Sequence, residues 1–591
     1  MRRIISIGAI IATGLAVQLY RRSGQEVRTA PEKVLVTTTE AQVKGFDPVD
    51  CEDTYSAREV CKVYEGLLEY HYLNRPYTLT PNLAAEMPTL SADQCVYTFK
   101  IKEGVTFQDN ACFPGGNGRV LTAHDFVYSF KRLADPRRQS RCFWLLDGKI
   151  KGLNAWREKY VDASAADYTE AIPGLQALDN HTLQITLTQP SPQFLYALAM
   201  APCFVVAHEA VDHYGKTFLN HPVGTGPFTL QVFNPQDTQI VYHRNPTFRD
   251  KRFPTEAAPA YTHMLTYAGQ KLPLVDMVIT HIFPEAQPRW LKFQKGQVDV
   301  IDISKDNIAS EIIRDKELVS TLQDKGIQLF QEPEITTSCV IFNNAHPLFK
   351  NNPKLRQAMS LAFDGAKYNE LFCNGAATLA QSIIPPNLAG HQTDYRNPYR
   401  AYNIDKAKQY LAEAGYPGGQ GLPRINLDGT AHTIQKQKAE FFQQSMQKIG
   451  IQIQVVGNTW PELVKKVQTK NMMLHSMSWS ADYPDAENFL QLFYGPHQLS
   501  GLGVNFDDPV FNKLYEKAVA MPHSAERTAL YEHLNHMIGE QIPVICTVHA
   551  PHLILHQGWV RNYIWSNFHY GVEQYIDVDL AQKQALKPKL Q

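Results

Sequence analysis

The sequence predicts a multi-domain α/β protein, and three observations lead there. The chain of 591 residues is longer than one hydrophobic core normally organises, so two or three domains are expected. Stretches with strand-like alternation are interleaved with stretches of helical spacing along its whole length. Pro (36) and Gly (34) punctuate throughout without gathering into a low-complexity linker, and no repeat of fixed period is present.

In chain order, Met1-Arg2-Arg3 precedes IISIGAIIATGLAVQLY, and Arg21-Arg22 closes that apolar run. A short basic start followed by an apolar run is the pattern of an export signal. Residues 1–28 are therefore expected to be a signal peptide, with Gly14 and Ala16 near the cleavage point, or an uncleaved anchor, since a run of ~17 residues is at the lower limit for spanning a bilayer. Residues 33–39 (KVLVTTT) read as an opening strand, and 94–107 as two short strands around Glu103-Gly104. Residues 123–133 (AHDFVYSFKRL) read as a helix and 181–189 as an alternating strand. Further helices are expected at 354–363, 404–414, 435–448 and 524–539. Arg356 and Asp364 flank an apolar stripe and read as the charged ends of a structural helix. Near the end, Pro484-Asp485 reads as a helix start before Phe489, Leu490 and Phe493.

The composition is globular: 44% hydrophobic, 19% charged, net charge −1. No basic face or stripe points to nucleic acid. Nine cysteines lack any CxxC pair, which speaks against a zinc ribbon or a thioredoxin-like site. In an oxidising compartment Cys51 with Cys61, or Cys95 with Cys112, would close short loops, and the odd count leaves at least one thiol free. HEAVDH at 208–213 resembles a zincin motif, but its histidines are five apart instead of four and do not share a helix face. His533 and His536 read as part of an amphipathic helix. No GxSxG or complete phosphate loop occurs, so neither an enzyme nor a cofactor is expected.

A series of phrases is more telling: LTAHDFVYSFKRLADP (121–136), GLQALDNHTLQITLTQPSPQF (174–194), VGTGPF (223–228), FQKGQVDV (293–300), LRQAMSLAFD (355–364), IIPP (383–386), AKQYLAEAGY (407–416), WSADYPDAENF (479–489) and IPVI (542–545). In this order they resemble the family 5 extracellular solute-binding proteins, the receptors of peptide ABC transporters, and most closely the oligopeptide-binding branch. The resemblance runs from about residue 33 to about 575. It implies an α/β, two-lobed periplasmic-binding-protein-like clamp with an extra subdomain in the first lobe. The first lobe would be built from 33–70, 208–335 and 550–591, the extra subdomain from 71–207 and the second lobe from 336–549. The crossings near 335 and 550 would be hinges.

The resemblance also implies a site. The Asp of the W-x-x-D phrase, here Asp482, would meet the free α-amino group of a bound peptide. An ammonium taken into a water-poor cleft is costly unless a carboxylate receives it. Trp479 and Tyr483 offer flat surfaces to the first ligand residues, and Ser480 and Ala481 complete the phrase. The peptide backbone would bond main-chain groups as an added strand, independent of its side chains. Implied partners are a peptide and the permease subunits of an inner-membrane ABC transporter, with a monomeric receptor in the periplasm. A non-peptide solute (a metal chelate, haem or a sugar) on the same fold, and a secreted hydrolase, are the competing readings. The sequence departs from the pattern in two places. Ser480 stands where some oligopeptide binders carry a Cys bonded to one near the first hinge, here Cys339, and 110–119 (NACFPGGNGR) look like an insertion.

Overall fold

A computed structural model describes residues 32–233, 238–303, 312–314, 317–497 and 502–590. The expected export segment, residues 1–28, lies outside them. No helix among the described residues is long and apolar enough to cross a membrane.

The chain builds two lobes. In the first, Val34–Thr39 pairs in parallel with Met277–Ile282, and Gln239–Arg244 and Phe228–Val232 extend the sheet antiparallel. A second sheet sets Pro551–His556 between Val300–Asp302 and Gln328–Pro333. A further sheet, Thr89–Leu90, Val96–Lys100, Thr182–Thr186 and Leu175–Asp179, carries the helix Ala123–Ala134 against it. The second lobe is a five-stranded sheet in the order Ile453–Asn458, Ile425–Thr430, Leu474–Ser480, Thr336–Phe342, Val544–Cys546. Its core gathers Phe342, Leu361, Phe442 and Leu474 beneath the helices Pro353–Leu361, Ile404–Glu413 and Thr433–Gln447. The main chain passes between the lobes twice. It leaves the strand ending at Pro333 to enter the one starting at Thr336, and it runs from Val548–His549 into Pro551–His556.

Local chemistry explains the elements. Thr122 and Asp125 form a reciprocal capping box at the start of Ala123–Ala134. From that helix, the buried Arg132 reaches Asp47 at 2.7 Å and ties it to the N-terminal segment. Asp364 accepts from the Lys367 amide and starts Gly365–Cys373. Arg356 is not a charged helix end at the surface. It is 2% exposed, and its guanidinium donates to the carbonyls of Phe349, Gln541 and Ile542. Two of those carbonyls close the helix Ala525–Gln541, whose last carbonyls have no partner within the helix. A Cβ at Gly224 or Gly226 would meet the Val63 carbonyl at 2.0 or 2.5 Å, so the backbone of VGTGPF approaches the helix Thr54–Val63 as only glycine can.

Some elements differ from expectation. The turn at Gly104 has φ +72°, but the second strand around it shrinks to one bridge, Thr106 with Val120. The helix expected from Pro484 starts at Glu487 and runs into a 3-10 turn over Gln491–Phe493, because Asp485 spends its carboxylate on the Glu487 amide. All nine cysteines are thiols, so neither Cys51–Cys61 nor Cys95–Cys112 is bonded; the Cys142 thiol points at the Cys51 carbonyl instead. Glu209 of HEAVDH is held by Arg119 at 2.8 Å, which pins the 110–119 segment to the helix His208–Tyr214.

Candidate functional site

Between the lobes lies a cavity of about 1020 Å³. Its wall is assembled from the helix Thr54–Val63, the loop 199–204, the two interlobe passages, the end of the strand Leu474–Ser480 and the segment 565–574. This is the upper end of the roughly 300–1,000 Å³ typical of ligand pockets.

The strand Leu474–Ser480 runs beside Thr336–Phe342, and at its end Ala481 N–H donates to the Ile335 carbonyl at 2.9 Å. That bond turns the chain so that Ser480, Ala481 and Asp482 enter the cavity wall. Ser480 shares a 2.8 Å hydrogen bond with Thr336 across the strands. Behind Asp482 stands Asn488, fully buried. Its Oδ1 accepts from the Asp482 amide (3.1 Å) and from the Trp479 indole (2.9 Å), and its Nδ2 donates to Asp482 Oδ2 at 3.1 Å. Among the described residues no Lys, Arg or His forms an ion pair with Asp482. Burial pushes its pKa above the usual carboxylate value, and the Asn488 bond opposes this only in part.

Trp479 and Tyr483 are not in the cavity wall. The Trp479 indole is turned to Asn488, and the Tyr483 hydroxyl donates to Glu487 at 2.6 Å. The Tyr483 ring stacks on Tyr196 from the other side of the cleft, at 5.7 Å and 7°. Strand alternation accounts for Trp479: it sits next to Ser480 and so faces the opposite way.

Opposing groups come from segments that no single phrase marks. Arg58, on the helix Thr54–Val63, is the one arginine among the lining residues, and its guanidinium makes no hydrogen bond to the described residues. It lies 4.1 Å from the Trp565 ring centroid and 3.9 Å from Asp302. His552 stacks on Trp565 at 3.8 Å and is clasped at both nitrogens, by Asp302 (2.7 Å) and Glu334 (3.1 Å). Burial works against its charge, but the bonds and charges of the two carboxylates outweigh burial and raise its pKa. Glu334 and His552 sit on the two interlobe passages, so this clasp joins them. Helical spacing marks Arg58 as one residue of an ordinary helix face; only the fold shows that this face lines the cleft.

No group of three or more His, Cys, Asp or Glu side chains among the described residues is arranged to hold a metal. Chemically, the site presents a half-buried carboxylate without a cationic partner on one wall, a guanidinium with unused donors on another, and aromatic surface between.

The profile of "Bacterial extracellular solute-binding proteins, family 5 Middle" matches residues 78–501. The chain is 26% identical over 567 residues to "Heme-binding protein A" of Haemophilus influenzae, spanning 94% of each protein. It is 27% identical over 536 residues to the "Dipeptide-binding protein" of Escherichia coli, spanning 88% of this chain and 89% of the other. Among solved structures, HbpA2 from Haemophilus parasuis superposes with a TM-score of 0.73 at 23% identity, covering 92% of this chain and 99% of the other. The periplasmic binding protein DppA of Helicobacter pylori, in complex with the peptide STSA, superposes with a TM-score of 0.68 at 22% identity, covering 93% and 99%. Those structures share the two-lobed fold described above, and the profile spans well over half of the chain: the protein belongs to family 5 of the bacterial extracellular solute-binding proteins.

Proposed function

We propose that this protein is the receptor of an ABC importer, that it captures peptides in the interlobe cavity by their free α-amino group, and that it hands them to a membrane permease. One observation carries the reading: Asp482 stands half-buried in the cavity wall without a cationic partner among the described residues. Burying a carboxylate alone is costly, and a ligand ammonium removes that cost by a charge-assisted bond. Ser480, Ala481 and the passage residues 335–338 offer main-chain and hydroxyl groups along the same wall for an extended backbone. Arg58 has donors to spare for the ligand's far end. Trp479 and Tyr483 enter this proposal as supports of the Asp482 turn rather than as ligand surfaces. The receptor works without catalysis, as a monomer, on the periplasmic side, delivered there by residues 1–28 as a signal or anchor; N-terminal sequencing of native protein tells cleavage from retention.

The domain division belongs to the same proposal: 33–70, 208–335 and 550–591 for the first lobe, 71–207 for the extra subdomain and 336–549 for the second lobe. Sheet membership supports the crossings near 335 and 550. The hairpin Leu68–Tyr70 with Leu79–Pro81 spans the junction at 70, and Tyr72 and Leu73 pack with Phe253 and Tyr575, which argues for moving that junction past the hairpin.

The test is calorimetry with Asp482→Asn and wild type, each against a free and an N-acetylated peptide. Removing one partner of a buried pair costs about 3–5 kcal/mol, and some is softened by water, so the free peptide is expected to bind at least ~30-fold more weakly to the variant. The acetylated peptide binds wild type weakly and loses little more. Equal losses for both peptides make Asp482 a structural turn residue and end the proposal. A haem reading is favoured by the name of one relative. Of the two histidines in the cavity wall, His552 has both nitrogens engaged by carboxylates while His569 Nδ1 has no hydrogen-bond partner among the described residues, so histidine availability does not separate the readings. Mass spectrometry of ligand released from native protein decides between the two.

A further inference from the structure

We propose that Cys339 and Cys546 become joined by a disulfide once the chain has left the cytosol, stapling together the two strands on which the second lobe pivots. Cys339 lies in Thr336–Phe342 and Cys546 in Val544–Cys546, and the antiparallel register sets them directly opposite each other. The register also says which kind of pair they are. Thr547 N–H donates to the Ser338 carbonyl at 2.7 Å, and Phe342 N–H to the Pro543 carbonyl at 3.3 Å. Opposed residues alternate between hydrogen-bonded and non-hydrogen-bonded pairs, so 339 with 546 falls on a non-hydrogen-bonded position, where the Cα atoms stand about 4.5 Å apart. That separation is inside the roughly 4.4–6.8 Å over which a disulfide closes without moving the backbone. The two sulfurs are 3.9 Å apart, within reach of a bond by side-chain rotation alone. Both side chains are buried, 2% and 5% exposed, so the bond forms before this part of the sheet finishes packing.

The chemistry needs an oxidant, and the class is a disulfide-bearing thiol oxidant of the extracytoplasmic compartment. One cysteine thiolate attacks the oxidant's disulfide and displaces one of its sulfurs as a thiolate. The second cysteine thiolate then attacks the resulting mixed disulfide and releases the other oxidant sulfur. Two protons and two electrons leave the cysteine pair, and the oxidant ends as a dithiol. The staple acts where it matters for motion: Cys339 lies three residues beyond Thr336, and Cys546 three residues before His549, at the ends of the two interlobe passages. With the strands bonded at that point, bending on ligand capture is confined to the short stretches on the first-lobe side. Ser480 leaves Cys339 without a partner on its other neighbouring strand, where Met477 stands opposite it. The inference rests on export and on sheet register, and not on which ligand is bound.

The test uses the full chain purified from the periplasm of an exporting host. The protein is unfolded in denaturant with an alkylating agent and no reductant, digested, and read by mass spectrometry. The expected result is one cross-linked species holding the Cys339 and Cys546 peptides, neither alkylated. Alkylation of both residues, or a bond from either to another cysteine, overturns the proposal. As a second measurement, reductant is expected to lower the melting temperature of wild type by about 5 °C and to leave the double variant Cys339→Ser, Cys546→Ser unmoved. The same fall in wild type and double variant also overturns it.

Discussion

Asn488 decides what Asp482 can do. It holds the Asp482 amide, one carboxylate oxygen and the Trp479 indole at once, and among the described residues it is the sole hydrogen-bonding brake on the rise of the Asp482 pKa. Asn488→Ala removes a bond to a charged group, about 1.5–3 kcal/mol, so free-amine peptides are expected to bind about 10- to 100-fold more weakly by calorimetry. A residue that only packs would leave the pH profile in place; here the profile should shift to higher pH. The direction follows from linkage. The folded protein without ligand holds the Asp482 proton more tightly than the unfolded chain does. Between the ordinary value of 3.8 and the raised one, this group's contribution to stability therefore falls as pH rises. A bound ammonium favours the ionised form instead. Affinity for a free-amine peptide should then decline as pH falls through the raised Asp482 pKa, with protons released on binding at the acid end. An N-acetylated peptide should show no such decline, and a flat profile for both would count against the carboxylate as the ligand's partner. The place of Asp482 in the cleft was legible through the resemblance of WSADYPDAENF to the family's phrase, since by itself an Asp after a strand reads as a turn residue. The service of Asn488 was not, since its three bonds exist only after the turn has formed, and an Asn one turn into a helix reads as unremarkable.

At the scale of elements, helices and strands with strong periodicity were legible, and their ends and partners were not. The stretch 524–539 reads as a helix and is one, over Ala525–Gln541. Nothing in LRQAMSLAFD announces that Arg356 is sunk beneath that distant helix end. Its pKa is pushed down to about 10 by burial, and among the described residues no carboxylate pairs with it; carbonyl dipoles face it instead. Arg356→Met keeps the volume and leaves the Gln541 and Ile542 carbonyls without that donor, while the Phe349 carbonyl keeps the Asn352 N–H, at about 1–3 kcal/mol for each group that water cannot reach. Urea unfolding is expected to lose about 2 kcal/mol or more, with ligand affinity per folded molecule unchanged. A loss under about 1 kcal/mol would show that those carbonyls find other donors. Trp479 fails as a cleft residue for a plainer reason: a strand alternates its faces, and the phrase that marks the site marks both faces together.

Across the whole molecule, the two lobes meet at more than their passages. Tyr196 stacks on Tyr483, its hydroxyl lies 3.4 Å from His523, and Gln193 reaches the Val519 carbonyl at 3.5 Å. These contacts join parts of the chain more than 280 residues apart, which is why no local pattern reveals them. An aromatic pair contributes about 0.5–1.5 kcal/mol beyond its burial. Tyr196→Ala is therefore expected to weaken every ligand about 2- to 10-fold, free and acetylated peptides alike. Equal loss is the signature of a contact between lobes; a loss confined to free-amine peptides would make Tyr196 part of the amine site.

The lone carboxylate of Asp482 has a consequence beyond affinity. A receptor that shuts without cargo must dehydrate that charge for nothing, so shutting is discouraged until an amine arrives. The shut shape then works as a message as well as a grip. Under the proposed function, a permease that responds to it would be shielded from futile encounters with unloaded copies, and fuel for import would be spent on deliveries.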